Sequence, residues 1–265
     1  MDYLLDISMA TVFIGFSVGF LVGLTGIGGG SLMTPIMILF LGIRPTIAVG
    51  TDLIFGAITK VFGSFIHYRQ KSVNLSIVFF LALGSVPCSL LGVYIISAIK
   101  KHYGSFVDAF VMKTLGITLI IVAITMVLRV IFPSSQARND ENFLTNYTIR
   151  QKGLTILLGG VVGFLVGLTS VGSGSLIVPV LLALFPKLSS KNIVGTDVFH
   201  AAILVSVAGI AHLGNGNVQL PVVVSLLVGS LPGVYLGSRM NMKVSERVLR
   251  PVLASMLMLT GLKLI

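Results

Sequence analysis

The sequence predicts an all-α polytopic membrane protein made of two inverted-topology repeats of about five helical segments each. Three observations predict it. First, the chain is 55% hydrophobic and only 10% charged, with a mean hydropathy of +1.05, against about a quarter charged in an average soluble domain. Second, the apolar runs are continuous rather than alternating, and a chain in hydrocarbon must satisfy its own backbone hydrogen bonds, which selects helices over a barrel. Third, residues 18–35 read VGFLVGLTGIGGGSLMTP and residues 162–179 read VGFLVGLTSVGSGSLIVP, thirteen of eighteen positions being identical at an offset of 144.

The match resumes at an offset of 145, with Gly50-Thr51-Asp52 against Gly195-Thr196-Asp197, His67 against His212, and Gly84-Ser85 against Gly229-Ser230. Pro87 and Gly92 likewise recur as Pro232 and Gly237. A duplicated unit whose hydrophobic segments are broken by glycine at corresponding positions is the pattern of a secondary transporter, and the breaks point to its binding site.

The first repeat, residues 1–132, divides into apolar pieces at 9–24, 31–41, 49–66, 75–99 and 107–132. The second, residues 153–265, gives 154–168, 175–185, 194–211, 220–236 and 248–265. Between them, residues 133–152, PSSQARNDENFLTNYTIRQK, have the polar composition of an exposed cytoplasmic linker. The first two pieces of each half are short: a run such as 31–41 rises only about 17 Å, well under the ~30 Å hydrocarbon core. They are expected to be the arms of a broken or re-entrant hairpin. The turn, residues 25–30, then lies at membrane depth, which is tolerated only where the backbone faces protein or a water-filled cavity.

The formal charge of +10 does not indicate nucleic acid, because Lys and Arg lie in short loops between apolar runs, as on the cytoplasmic face of a polytopic protein. With the Arg69–Lys71 loop placed in the cytoplasm, twelve Lys and Arg collect on that side and five on the other. Five segments per repeat is an odd number, so the second half is expected to enter inverted, with both termini outside. Met1-Asp2-Tyr3 has neither a basic flank nor a cleavage site, so no removable signal is expected. Cys88 is the only cysteine and reads as a small core residue.

The glycine turns carry the chemistry. Glycine allows close backbone approach, and Ser31 or Ser175 would open a helix arm whose unpaired N–H groups and dipole attract an anion. The same glycines could instead serve only helix packing. Thr51 and Thr196 read as caps at the start of the third segments, with Asp52 and Asp197 in the first turn; the carboxylates could also carry a proton or order a cation. Lys60 is the only lysine deep within a span, where a charge costs about 3 kcal/mol on insertion scales, so it must face a cavity or a partner. It lies too far along the helix from Asp52 for a direct pair, and the second repeat has Val205 there. His200 follows Asp197 by three residues and shares its helical face; the pair could titrate, or His200 could be a packed hydrogen-bonding residue. His67 and His212 read as structural groups at segment ends. Four His and one Cys without clustered spacing support neither a metal site nor a cofactor, and no catalytic residues are expected.

The strings GLTGIGGGSLMTP, VGTDL and HYRQKSVN, then GLTSVGSGSLIVP, VGTDVFHA and AHLGNGNVQ, together resemble the sulfite exporter TauE/SafE family of membrane permeases. The resemblance spans both halves. It implies a multi-pass protein of the bacterial inner membrane that moves sulfur-containing oxyanions such as sulfite or organosulfonates. The second glycine motif departs from the first, with Ser170 and Ser173 replacing Gly26 and Gly29; those hydroxyls could add donors to a site or only tighten packing. The residues expected to line a midplane anion site are Thr25, Gly28, Gly30, Ser31, Thr51, Thr169, Gly172, Gly174, Ser175 and Thr196, with Asp52, Lys60, Asp197 and His200 tuning its charge. Uptake of the same oxyanions, a carboxylate permease, an anion channel and a membrane-embedded enzyme are the competing readings.

Replacing both Gly30 and Gly174 with Val is expected to abolish transport while leaving membrane insertion intact, as measured by flux in proteoliposomes beside a membrane-integration assay.

Overall fold

The structure is a computed structural model that describes residues 8–25, 30–104, 106–131, 148–241 and 246–265. All its regular elements are helical: α1 (Met9–Thr25), α2 (Gly30–Leu41), α3 (Pro45–Arg69), α4 (Leu75–Tyr103), α5 (Phe106–Ile131), α6 (Ile149–Thr169), α7 (Ile177–Leu184), α8 (Ser190–Gly214), α9 (Leu220–Asn241) and α10 (Glu246–Leu264). Each apolar run of the sequence is thus one helix. Six helices, α3, α4, α5, α6, α8 and α9, are long and apolar enough to cross a membrane. Large apolar side chains such as Phe13, Phe40, Phe62, Phe79, Tyr94 and Leu259 are exposed on the outside, as an apolar solvent permits.

Most helices begin earlier than hydropathy alone places them, because polar groups start them. Pro45 occupies the first turn of α3, where its missing N–H costs nothing. Asp108, at the start of α5, accepts from both the amide (3.2 Å) and the hydroxyl of Thr46. Thr148 and Gln151 form a reciprocal capping box that starts α6 at Ile149, inside the stretch read as linker. Ser189 accepts from the Asn192 amide at 3.2 Å to start α8. Thr51 and Asp52 therefore stand in the second turn of α3 rather than at its start, and Thr196 and Asp197 likewise in α8. Neither threonine caps its own helix.

The two most extensive helix pairings cross between the halves, with α1 on α9 and α6 on α4. Both are glycine seams. Gly159, Gly163 and Gly167 of α6 abut the backbone of Leu81, Ser85 and Ser89 of α4, so the two helices run parallel. Gly15, Gly19 and Gly23 of α1 meet Leu226, Ser230 and Val234 of α9 in the same sense, while Gly229, Gly233 and Gly237 meet Val12, Phe16 and Phe20 from the other side. At these positions a Cβ would run into the facing carbonyl oxygen. Small residues spaced by four are how apolar helices gain contact when lipid offers no hydrophobic drive.

Corresponding helices of the two halves pack antiparallel. On α3 and α8, Gly50 meets His212, Gly209 meets Leu53 and Ile54, and Gly63 reaches Val198. The Tyr68 and Phe199 rings lie 5.9 Å apart. On α5 and α10, Gly116 and Gly261 abut each other, with Leu264 and Ile265 near Gly116 and Ile120 near Gly261.

The duplicated Gly-Thr pairs fasten the halves reciprocally. Gly50 admits the Asn217 backbone and Gly195 that of Ser72. Thr51 Oγ1 accepts from the Gln219 amide at 3.1 Å, just before α9, and Thr196 Oγ1 accepts from the Asn74 amide at 2.9 Å, just before α4. Each half thereby satisfies an amide at the start of the other half's fourth helix. His212 Nε2 lies 2.9 Å from the Gly167 carbonyl, and Lys100 Nζ donates to Asn217 Oδ1 at 2.7 Å; His67 Nδ1 pairs with Ser72 Oγ at 3.1 Å.

Gly163→Val should weaken the α4–α6 seam by about 1–3 kcal/mol, the usual cost of overpacking, visible as a lowered unfolding temperature in detergent. Gly153→Val, where a side chain meets open space, should have little effect.

Candidate substrate site

The break between α6 and α7 is a turn over residues 170–176. Ser170 ends α6 in the left-handed region (φ 63°), and Gly172 (φ 125°) and Gly174 (φ 89°) also have positive φ. Those conformations cannot continue a helix. The second arm therefore starts at Ile177 rather than at Ser175, and α7 has only eight residues, a rise of about 12 Å. The turn is held by Thr169, whose Oγ1 donates to the Leu165 carbonyl at 2.7 Å and accepts from the Val171 amide at 3.3 Å. The Leu176 amide closes it onto the Gly172 carbonyl at 3.1 Å. The amides of Gly172, Ser173, Gly174 and Ser175 take no part in the backbone hydrogen bonds found outside the helices among the described residues.

Depth follows from the α4–α6 seam. Gly167 abuts Ser89, the middle residue of α4, which runs on to Tyr103. The turn thus sits level with the middle of a spanning helix. It is enclosed by protein: Ser170 is 4% and Ser175 6% exposed.

Two side chains of α3 reach into this turn. Asp52, 1% exposed, accepts at Oδ2 from Ser170 Oγ at 2.8 Å and from Thr34 Oγ1 of α2 at 2.6 Å. Two turns further along, Lys60 Nζ donates to Ser173 Oγ at 2.6 Å. Lys60 is only partly buried and interacts electrostatically with both Asp197 and Asp52. On α8, His200 is fully buried, its Nε2 lying 2.7 Å from Ser85 Oγ of α4. Among the described residues, Asp52 Oδ1, Ser175 Oγ and His200 Nδ1 are buried polar atoms without a hydrogen-bond partner. Hydroxyls, an ammonium and a carboxylate are thus gathered within apolar helices, where desolvated polar groups are costly.

The chain matches the family Sulfite exporter TauE/SafE over residues 11–264. It belongs to this family. Over 261 residues it is 41% identical to the "Probable membrane transporter protein YjnA" of Bacillus subtilis, covering 97% of this chain and 100% of that one. It is 27% identical over 274 residues to the "Probable membrane transporter protein YunE" of the same organism, covering 96% of each chain. Against the "Probable membrane transporter protein MJ0441" of Methanocaldococcus jannaschii, identity is 29% over 270 residues, with 95% and 92% covered. No solved structure matches the chain. As a TauE/SafE protein with six helices able to cross a bilayer, it is a multi-pass membrane transporter, lodged in lipid and acting on a small-molecule substrate.

Within this TauE/SafE chain the predicted site residues divide. Gly172, Gly174 and Ser175 lie in the turn and Thr169 precedes it; Asp52 and Lys60 contact it, and Asp197 and His200 on α8 interact electrostatically with Lys60. Thr51 and Thr196 are engaged with the starts of α9 and α4. Ser31, buried, is the second residue of α2. Thr25 and Gly30 end α1 and begin α2, and Gly28 with the rest of 26–29 lies outside the described residues. Sequence reasoning missed Thr34 and left Ser170 and Ser173 undecided. The signal for all three is departure from the repeat, since Thr34 stands opposite Val178 just as the two serines stand opposite glycines. Ser173→Ala removes the acceptor of the Lys60 ammonium, and should lower stability by about 1.5–3 kcal/mol in thermal unfolding; Ser170→Ala should do the same through Asp52.

Proposed function

We propose that this protein is a secondary transporter, most simply an exporter, of small sulfur-containing anions such as sulfite or organosulfonates across the bacterial inner membrane. It works by alternating access at the polar cluster around the α6–α7 turn. The observation that carries the reading is the Lys60 ammonium held against Ser173 between two glycines of positive φ. There a cation and turn amides that bond to no other backbone group among the described residues lie at the middle depth of the helices. Turns of alternating backbone hand make concavities whose N–H groups suit oxyanions, and such ions fit the family's description.

We read the two halves, 1–132 and 153–265, as inverted repeats joined by a cytoplasmic linker, with both termini outside. The antiparallel packing of α3 on α8 and α5 on α10, and the exchange of α1 and α6 between halves, support this. α1–α2 and α6–α7 are then broken hairpins, with α2 and α7 as their short arms, and Ser31 lines the site from the first half. Outward movement of net negative charge is electrically downhill by about 2.3 kcal/mol per charge per 100 mV, inside negative.

Ligand-induced thermal stabilisation of the purified protein against sulfite, thiosulfate, sulfate, sulfoacetate and simple carboxylates should single out a sulfur oxyanion, because whatever binds the folded state raises its apparent stability. Lys60→Met should lose that shift. A response to carboxylates alone would replace the substrate class, and flux far above carrier rates without countertransport would make the protein a channel.

A further inference from the structure

We propose that occupation of the site by an anion makes Asp52 take up a proton, so that substrate and proton reside there together. The inference rests on the reading of Lys60 as the counter-charge of the anion.

The charges around Asp52 are few and can be named element by element. On its own helix there is Lys60, with His67 and Arg69 in the last turn; on α8 there are Asp197 and His200, with His212 packed against Gly50 and Lys191 in the first turn. The α2 arm, Gly30–Leu41, has no ionisable side chain, and the turn at 170–176 presents only hydroxyls. On α5, Asp108 is engaged by Thr46 near the start of α3, and Lys113 lies one and a half turns beyond it. The charged residue of α9 is Arg239, in its last turn. Lys60 thus interacts with both carboxylates.

A buried carboxylate is tolerated while a nearby cation offsets it, and leaving it without that offset is strongly unfavourable. An anion seated against Lys60 shares the ammonium and adds negative charge beside Asp52. A proton removes the conflict. The geometry also provides the oxygen: Oδ2 accepts both hydroxyl donors, from Thr34 and Ser170, while Oδ1 has no partner. Protonation at Oδ1 breaks none of the existing hydrogen bonds, and no covalent bond other than O–H forms. A monoanion then crosses without net charge movement, and affinity rises as pH falls because the bound state holds more protons.

Removing the Lys60 charge should imitate the anion. Infrared spectra of Lys60→Met, purified without added anion at neutral pH, should show a protonated-carboxyl C=O stretch that is absent from wild type and from Lys60→Met/Asp52→Asn. In weakly buffered solution, wild type should take up about one proton per thiosulfate bound, a probe that does not itself titrate near neutrality; in Asp52→Asn this ratio should fall to zero. Folded Lys60→Met without the carboxyl band, or wild type binding thiosulfate with no proton uptake, overturns the coupling. The band in Lys60→Met with no thiosulfate binding by wild type upholds the coupling and overturns the sulfur-anion reading instead. Should Lys60→Met fail to fold, the wild-type proton count decides alone, with sulfoacetate and sulfate run beside thiosulfate.

Discussion

An unwound stretch of backbone cannot face hydrocarbon, and this constraint organises the protein. The α6–α7 turn bends through three residues of positive φ at the level of the middle of α4. It persists there because α4 and α6 approach closely enough to seal one side and α3 supplies side chains on another. The close approach is the work of glycine: with a Cβ at Gly159, Gly163 or Gly167 the helices would separate and open the turn to lipid. What looks like a set of unrelated glycines is one requirement met at several places.

The cluster beside the turn owes its chemistry to broken symmetry. The two halves share Asp52 with Asp197 and Ser85 with Ser230, but Lys60 has Val205 as its counterpart, His200 has Phe55, and Thr34 has Val178. Duplication supplies two frameworks, and the departures between them place donors around one turn. The two serines that distinguish the second turn from the first are the residues that hold Asp52 and Lys60.

How much of this the sequence reveals depends on how local the cause is. Ten continuous apolar runs give ten helices among the described residues, because the hydrocarbon solvent leaves few alternatives. Helix starts are less legible: Pro45, Thr148 and Ser189 begin helices in polar sequence, where hydropathy is silent and capping decides. Thr51 and Thr196 mislead for a different reason. Their partners, the amides of Gln219 and Asn74, belong to the opposite half, and no periodicity within one half reports them. Lys60 is readable as a residue in need of a partner, yet Ser173 as that partner requires the folding of one half onto the other.

The exchange of first helices has a consequence for synthesis. The α1 seam is complementary to α9, which emerges about 200 residues later, so at typical elongation rates of about 5–20 residues per second α1 spends roughly 10–40 s before its docking surface exists. During that interval its glycine stripe, Gly15, Gly19 and Gly23, is open to any small-residue helix nearby. The second half has no such delay, since α4 is already made when α6 leaves the ribosome. The two seams, equivalent in the finished protein, are therefore unequal in their exposure to mispairing, and the earlier one is the place where a crowded membrane or an insertion chaperone can act.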